Sequence, residues 1–177
     1  MRFRILALLL VSILAGCDSR ITADKVLQAE MGKQLSLEDI VFTVEKKETR
    51  REIKPEKPSG YYHYYEEHEG YLYYVISGTA QNKSNYTLDV KNILIQGIHG
   101  KKKFEGILFF SNSQDSDFIK VINSKQQLKF YIAIQIGKDD PLPNKINLYY
   151  SKNFQPPDSS THYDTLLAWE PADLQGS

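Results

Sequence analysis

The stretch QQLKFYIAIQI, residues 126–136, decides the fold class of this sequence. Apolar side chains occupy every second position, with lysine, tyrosine, alanine and glutamine between them. The apolar residues are Leu128, Phe130, Ile132, Ile134 and Ile136. A period of two places successive side chains on opposite faces of a β-sheet. The pattern therefore predicts a central β-strand that turns one face toward a core.

The same alternation recurs along the chain. Residues 40–44 and 146–150 each alternate and predict two half-buried strands. Residues 71–80 are rich in β-branched and aromatic side chains and lead into a run of turn formers at 81–85, so they predict a further strand.

Three other segments complete the strand prediction. Residues 86–98 and 103–110 flank a turn at His99-Gly100 and predict a hairpin with three lysines near its tip. Residues 118–122 predict a short edge strand. Residues 22–32 fit either a helix or a first strand, and a strand is slightly favoured because Leu35 and Leu37 alternate after them.

Length and composition bound the class of protein. The 177 residues are 41% hydrophobic, which is enough for one domain with its own core. The 22 Lys and Arg balance 22 Asp and Glu, and the pI is near 6.9. Nucleic-acid binding relies on an excess of basic side chains that neutralise phosphates. The balance therefore argues against a nucleic-acid partner.

Residues 1–16, MRFRILALLLVSILAG, have the layout of an export signal. Arg2 and Arg4 precede an uncharged apolar run over 5–15. At roughly eleven residues this run is shorter than the ~20 that a helix needs to cross a bilayer. It is therefore predicted to direct export and then to be removed.

The next residues resemble the lipobox of bacterial lipoproteins, because Leu14, Ala15 and Gly16 precede Cys17. The resemblance implies a diacylglycerol thioether on the Cys17 thiol, cleavage before Cys17 and a lipid bilayer as partner. Asp18 resembles the signal that retains enterobacterial lipoproteins in the inner membrane. An ordinary signal peptide with an incidental cysteine is the alternative.

Cys17 is also the only cysteine. Once it is lipidated, the folded part has no thiol for a disulfide, a zinc-thiolate site or a cysteine nucleophile. The fold must then depend on its core alone.

Two stretches together resemble the telokin-like, immunoglobulin-type domains of small bacterial lipoproteins: GKQLSLEDIVFTVEKKE at 32–48 and YLYYVISGTAQNKSNYTLDV at 71–90. Val44, Gly78-Thr79 and Asn82-Lys83-Ser84 carry the resemblance. It implies a location in the cell envelope and supplies no catalytic residues. The single tryptophan, Trp169, lies too late in the chain to be the core tryptophan of a third strand.

The predicted fold is all-β, an immunoglobulin-like antiparallel β-sandwich of about seven strands. The predicted organisation is a signal peptide at 1–16, a lipidated N-terminus and tether at 17–31, the sandwich at 32–151 and a C-terminal tail at 152–177.

The most unusual local composition is YYHYYEEHEGYLYY, residues 61–74, which holds seven of the twelve tyrosines. Tyrosine combines a broad apolar ring with a hydroxyl and suits binding surfaces. Candidate partner-binding residues are Tyr61, Tyr62, Tyr64 and Tyr65. The alternative interpretation is that these tyrosines cover a sheet face in cross-strand pairs.

Other chemistry is not favoured. His63, Glu66, Glu67 and His68 lack the four-residue histidine spacing of a zinc helix, so no metal and no cofactor are predicted. The polar run at 112–117 lacks the glycine and the glutamate of a calcium loop. Since no G-x-S-x-G motif or glycine-rich phosphate loop occurs either, an enzyme is not expected.

Two functional hypotheses follow. The first is a non-enzymatic lipoprotein that is anchored through Cys17 on the extracytoplasmic side of the membrane and binds an envelope protein. The alternative is a carrier of a small ligand or metal that uses residues 61–74.

Overall fold

The computed structural model describes residues 21–29, 34–55, 57–59, 65–66, 68–112, 117–153 and 162–170. They contain eleven strands: β1 (Thr22–Gln28), β2 (Gln34–Leu37), β3 (Ile40–Arg50), β4 (Tyr71–Asn82), β5 (Leu88–Asp89), β6 (Ile93–His99), β7 (Lys102–Ser111), β8 (Val121–Ile122), β9 (Gln127–Gly137), β10 (Lys145–Tyr150) and β11 (His162–Trp169). One turn of 3-10 helix covers Val90–Asn92, and these ranges contain no α-helix. The all-β prediction is therefore confirmed.

Nine strands form one sheet in the order β1-β11-β10-β6-β7-β9-β4-β3-β2, and β5 pairs with β8 in a second, two-stranded sheet. β1 runs parallel to β11, and the other pairings of the described sheet are antiparallel. Strand β9, predicted as central, lies between β7 and β4. The predicted hairpin is β6 and β7, with Gly100 in the left-handed region at its tip (φ 58°).

The strand order contains the order of an immunoglobulin-type sandwich. In that fold the strands, lettered A to G along the chain, run A-B-E-D in one sheet and C-F-G in the other. Lettering β3, β4, β6, β7, β9, β10 and β11 in the same way gives β3-β4-β9-β7 and β6-β10-β11. Here β6 and β7 also pair directly, so that one curled sheet supplies both layers.

Both layers contribute to one hydrophobic core, which we call the inner core. Its largest fully buried side chains include Phe42, Phe110 and Phe130, and the rings of Phe42 and Phe130 meet edge to face at 5.1 Å. All five alternating residues of 128–136 belong to it. The alternation of this stretch therefore predicted its buried face correctly.

A polar contact joins the β2–β3 turn, at one edge of the curled sheet, to β11, which lies next to the other edge. Glu38, in the tight turn between β2 and β3, accepts a hydrogen bond from the buried Thr165 hydroxyl on β11. Glu38 has a positive φ of 50°, a conformation that costs free energy for a residue with a side chain. The contact with Thr165 helps to hold the turn in that conformation.

Gly78 occupies a position where strands β3 and β4 come unusually close. The pairing of β3 with β4 shifts register between Val44 and Lys46, and Gly78 pairs with Val44 there. A Cβ atom on Gly78 would lie 1.9 Å from the Thr43 carbonyl oxygen. Only glycine fits this bulge, which gives a physical reason for the Gly78-Thr79 feature of the sequence.

Asn82 and Ser84 form a buried hydrogen-bond network after β4. The Asn82 amide nitrogen donates to the carbonyl oxygens of Tyr86 (2.7 Å) and Ile122 (3.1 Å). Its amide oxygen accepts from the backbone N–H (2.9 Å) and the hydroxyl (2.6 Å) of Ser84. The side chain of Asn82 is therefore fully satisfied, and it ties the end of β4 to β8.

The structure corrects the predicted limits of the sandwich at both ends. Strand β1 lies within the predicted tether 17–31, and β11 lies within the predicted tail 152–177. Trp169 on β11 is buried in the inner core. The pattern of β1 is weak because most of its side chains are exposed, and the prolines before β11 are the reason that the sequence predicted a tail there.

The strand directions define two ends of the sheet. Thr22, Asn82 and Ser111 lie at one end, which we call the Thr22 end. Tyr71, Lys102 and the β9–β10 connection lie at the other, which we call the Lys102 end. At the Thr22 end, His162 bonds to Thr22 Oγ1 through Nδ1 and to Asp24 Oδ1 through Nε2, each at 2.9 Å. These contacts fix the start of β1 to β11.

Candidate functional site

Of the four tyrosines predicted to bind a partner, Tyr65 is the one that lies within the described residues. Its backbone N–H and C=O both bond to Ile53 at 2.9 Å, and its half-buried ring stacks on Phe109 at 5.5 Å. Tyr65 therefore covers the outer face of the sheet from an isolated β-bridge that lies outside the named strands. Tyr61, Tyr62, Tyr64 and Cys17 lie outside the described residues.

Tyr65 belongs to an outer aromatic cluster, which we define as Tyr65, Tyr73, Phe109, Phe118 and Tyr131. Phe109 lies at its centre, 4.2 Å from the Phe118 ring and 5.3 Å from the Tyr131 ring, which is nearly parallel to it. The cluster covers the face of β4, β7 and β9 that points away from the inner core. The side chain of Arg50 lies over the Tyr131 ring at 5.9 Å.

Burial changes the acidity of two phenols in this cluster. It raises the pKa of Tyr65, and the nearby Tyr73 and Asp117 raise it further. Burial also raises the pKa of Tyr73, whose hydroxyl donates to the Glu66 carbonyl oxygen at 2.9 Å. The raised pKa values keep both phenols neutral near pH 7, so their rings pack in the cluster in the uncharged form.

A shallow groove adjoins the cluster at the Thr22 end. It has a volume of about 520 Å³, and Phe118 forms part of its wall. Its other lining residues are Asn112, Asp117, Ile119, Val121, Asn123 and Gln126. Gln126 Oε1 accepts from the Asn123 N–H at 2.8 Å, which orients the Gln126 amide nitrogen away from that bond. The lining combines amide groups and the Asp117 carboxylate with apolar side chains, a composition suited to a small polar ligand.

The residues of the metal hypothesis are only partly described. Glu66 and His68 are exposed, and His63 and Glu67 lie outside the described residues. Among the residues that the structure describes, no three His, Cys, Asp or Glu side chains come together as a possible ion site.

Two connections at the Lys102 end are held together and form what we call the paired loops: the β6–β7 tip at 100–101 and the β9–β10 loop at 138–144. The His99 ring bonds through Nδ1 to the Leu142 carbonyl at 2.8 Å, and the Asn144 N–H donates to the Ile98 carbonyl at 3.0 Å. Lys102 forms an ion pair with Asp140. Its hydrogen bond lowers the pKa of the Asp140 carboxyl, so that this group stays ionised.

The paired loops expose an apolar side chain. Leu142 lies between Pro141 and Pro143 and is 48% exposed. On the adjacent strands, Ile98 is flanked by cross-strand neighbours Lys103 and Lys145. The sequence predicted His99 in a hairpin turn but did not predict its bond to Leu142. The sequence carried a signal in the Pro-Leu-Pro segment, but which hairpin it meets depends on the tertiary pairing.

Comparison with solved structures places the fold among β-sandwiches. An uncharacterised β-sandwich protein from Clostridium difficile superposes with a TM-score of 0.56 at 13% identity, covering 82% of this chain and 94% of its own. A Bacillus subtilis protein described as a "putative lipoprotein" gives a TM-score of 0.42 at 10% identity, covering 82% of this chain. The match spans 41% of the Bacillus protein's length.

No protein-family model matches the chain, and no curated protein matches it either. At these identities the structural similarity establishes the fold alone. Within the residues described, no helix is long and apolar enough to cross a membrane.

Proposed function

We propose that this protein is a lipid-anchored lipoprotein of the bacterial cell envelope that acts as a binding module, without catalysis, on the extracytoplasmic side of the membrane. The lipobox at 14–17 supports the anchor. The observation that carries the proposal is that β1 begins at Thr22, five residues after Cys17, at the opposite end of the sheet from the paired loops.

The short connection implies an orientation. Five extended residues span at most about 17 Å, so the Thr22 end stays close to the bilayer. Strand β9 has eleven residues and a length of roughly 33 Å, which puts the paired loops about that far from the Thr22 end. An anchored domain would therefore present the Lys102 end to the envelope space.

We also infer kinship with the telokin-like domains. Three of their features have structural roles here: Gly78 accommodates the β3 bulge, and Asn82 and Ser84 form the buried network after β4. The A-B-E-D and C-F-G strand order supports the same inference.

The anchor is tested by Cys17→Ser. We expect the variant to lose incorporated radiolabelled palmitate and to leave the membrane fraction, because the thiol that accepts the lipid is gone. Ser19→Ala, two residues away, is the matched control and should behave like the wild type. A wild-type protein without label, or a Cys17→Ser protein that stays in the membrane, contradicts the proposal.

The orientation can be measured because the folded part has no cysteine of its own. Lys101→Cys and Ser124→Cys place single thiols on exposed residues at the two ends of the sheet. In membranes we expect a bulky maleimide to label Lys101→Cys at least about threefold faster than Ser124→Cys, and both at equal rates in detergent. Equal rates in membranes would refute the orientation.

A second candidate function is supported by the groove beside Phe118. The three amide side chains in its lining and its volume of about 520 Å³ fit a small polar ligand. Native mass spectrometry of the protein purified from its own cells would then show a bound mass that Phe118→Ala or Gln126→Ala removes. A spectrum with the protein mass alone would dismiss the carrier function.

A further inference from the structure

The groove beside Phe118 offers hydrogen-bond donors, a carboxylate and an apolar wall, and its described lining includes no Lys, Arg or His. We propose that it binds a neutral sugar unit, whose hydroxyl groups bond to the amide and carboxylate side chains while the C–H face of the ring packs on the apolar wall. The inference deepens the second candidate function and rests on the same groove. It does not depend on the anchor.

Two amide side chains of the lining have nitrogen atoms left to donate. Gln126 Oε1 accepts from the Asn123 backbone N–H at 2.8 Å, and Asn123 Oδ1 accepts from the Thr87 hydroxyl at 3.2 Å. Within the described part of the chain, neither Asn123 Nδ2 nor Gln126 Nε2 has a hydrogen-bond partner. Each of these NH₂ groups can donate two hydrogen bonds. The ligand should therefore carry acceptor oxygens.

Asp117 sets the charge of the ligand. Its Oδ1 accepts from the Phe118 backbone N–H at 2.7 Å, which orients the carboxylate. Among the described lining residues it is the one charged side chain, so an anion would be repelled. A carboxylate accepts several hydrogen bonds and forms strong ones with hydroxyl donors. A simple alkylammonium ion has no acceptor and would leave both amide nitrogens unpaired, so a neutral polyhydroxyl ligand fits the whole set best.

The apolar wall of the groove is formed by Phe118, Ile119 and Val121. The Phe118 ring packs on Phe109 at 4.2 Å, and Ile119 exchanges two backbone hydrogen bonds with Phe110, each at 2.8 Å. A wall that is already held in place costs little conformational entropy on binding. A sugar ring combines a C–H face with a rim of hydroxyls that both donate and accept, so it can use the wall and the polar groups together.

A peptide would also supply donors and acceptors, but its main chain usually pairs with an open strand edge. The segment that borders the groove is bonded on both sides: Ile119 pairs with Phe110, and the Lys120 carbonyl accepts from the Val90 N–H at 2.9 Å. Little of this edge is open to an extended peptide. The arrangement therefore favours a sugar, and a peptide is an outcome of the test.

The test uses the full-length lipidated protein in a detergent without a sugar head group, because such a head group would compete for the groove. The probes are soluble tetrasaccharides of glucose, galactose, mannose and N-acetylglucosamine, together with tetragalacturonate as the acidic counterpart of the galactose probe. Titration calorimetry should show binding of at least one neutral probe. Tetragalacturonate should bind at least about tenfold more weakly than the galactose probe if galactose is the sugar bound, because its carboxylates meet Asp117.

Two variants of nearly unchanged shape test the named contacts. Gln126→Glu keeps an oxygen for the Asn123 N–H but replaces the donor nitrogen, so affinity for the neutral sugar should fall about tenfold. Asp117→Asn keeps an oxygen for the Phe118 N–H but removes the charge, so it should weaken neutral-sugar binding and reduce the discrimination against tetragalacturonate. Gln127→Glu, at the next and exposed glutamine outside the described lining, is the matched control and should stay within about twofold of wild type.

Two sources of the sugar can be separated. In phosphatidylcholine vesicles that also contain glycosyl diacylglycerol of the bound sugar, a glycolipid head group in the groove would lower the affinity for the soluble probe. An unchanged affinity would assign the groove to a soluble or wall-linked glycan. Either result supports sugar recognition.

Several results would overturn the proposal: no binding of any neutral probe, binding that is indifferent to both Gln126→Glu and Asp117→Asn, or equal sensitivity of a tetra-alanine peptide to these variants. Native mass spectrometry reports separately on the carrier function. A retained mass that is not a sugar, and that Gln126→Ala removes, would support a carrier and overturn sugar recognition. The Cys17→Ser fractionation reports on the anchor alone.

Discussion

The two faces of strand β9 are both buried, but for different reasons. On the inner face Leu128, Phe130 and Ile132 meet the opposite layer of the sandwich. On the outer face Tyr131 and Ala133 are covered by Ile53, Tyr65 and Phe118, which come from irregular segments. The inner face is thus buried by regular strands, and the outer face is buried by two irregular segments. We therefore expect the outer cluster to contribute less to the free energy of unfolding than the inner core, and to open without unfolding the rest of the domain.

The largest effect should come from Phe130→Ala in the inner core. Phe130 is fully buried and meets Phe42 edge to face, so we expect a loss of about 4 kcal/mol in the free energy of unfolding. Phe109→Ala in the outer cluster is the matched comparison, and there the covering segments can collapse into the space. We expect about 2–3 kcal/mol for it, measured by urea denaturation. Equal losses would show that the two faces are equally rigid.

Gly78 and Ser77 are neighbours on β4 that lie on its inner and outer faces, so their variants compare the two faces at the bulge. Gly78→Ala places a methyl group against the Thr43 carbonyl, and β3 must move away, so we expect a loss of about 3 kcal/mol. Ser77→Ala changes the next residue, which is half-buried on the outer face, and should stay within about 0.5 kcal/mol of wild type. Thermal unfolding of both variants checks this, and a tolerated Gly78→Ala would refute the close approach.

Tyr65→Ala should open the outer cluster locally. The ring contacts Phe109, Phe118 and Tyr73, so we expect the unfolding free energy to fall by about 2 kcal/mol and limited proteolysis to cut within 51–66 first. Tyr65→Phe keeps the ring and should remain as resistant to protease as the wild type. If both variants were cut at the same rate, the Tyr65 ring would have no covering role.

The smallest effect should appear at high pH. Burial raises the pKa of Tyr73 in the folded state, so the folded protein favours the neutral phenol. The contribution of the neutral Tyr73 phenol to the free energy of unfolding is complete below about pH 10, where unfolded tyrosine ionises. It is lost as the pH rises through the pKa of Tyr73 in the folded state.

Tyr73→Phe should therefore reduce the decline of unfolding free energy above pH 10 by up to about 1.4 kcal/mol per pH unit. The exposed Tyr71→Phe is the control and should follow the wild-type curve. Urea denaturation between pH 9 and 11.5 measures the slopes, and identical slopes for Tyr73→Phe and wild type would contradict the raised pKa.

The strands that the sequence predicted correctly, and those that it did not, follow the same division between inner and outer faces. It identified β3, β4, β9, β10 and the β6–β7 hairpin because each has an alternating inner face or a clear turn. It missed β11 as a strand and left β1 between helix and strand, since pairing between residues about 140 positions apart leaves no local pattern. The paired loops were missed for the same reason, because Leu142 and His99 meet only through the order of β6 and β10.

The sequence by itself determined the strand class, the inner faces of β3, β9 and β10, the turn at Asn82 and Ser84, and the expectation of lipidation at Cys17. These depend on local chemistry: a period of two, turn-forming side chains and a motif of adjacent residues. The tertiary structure decided the strand order, the hydrogen bond between Thr165 and Glu38, the outer aromatic cluster and the contact between the paired loops. These depend on contacts between distant segments, whose free energy exists only after the chain has folded around one core.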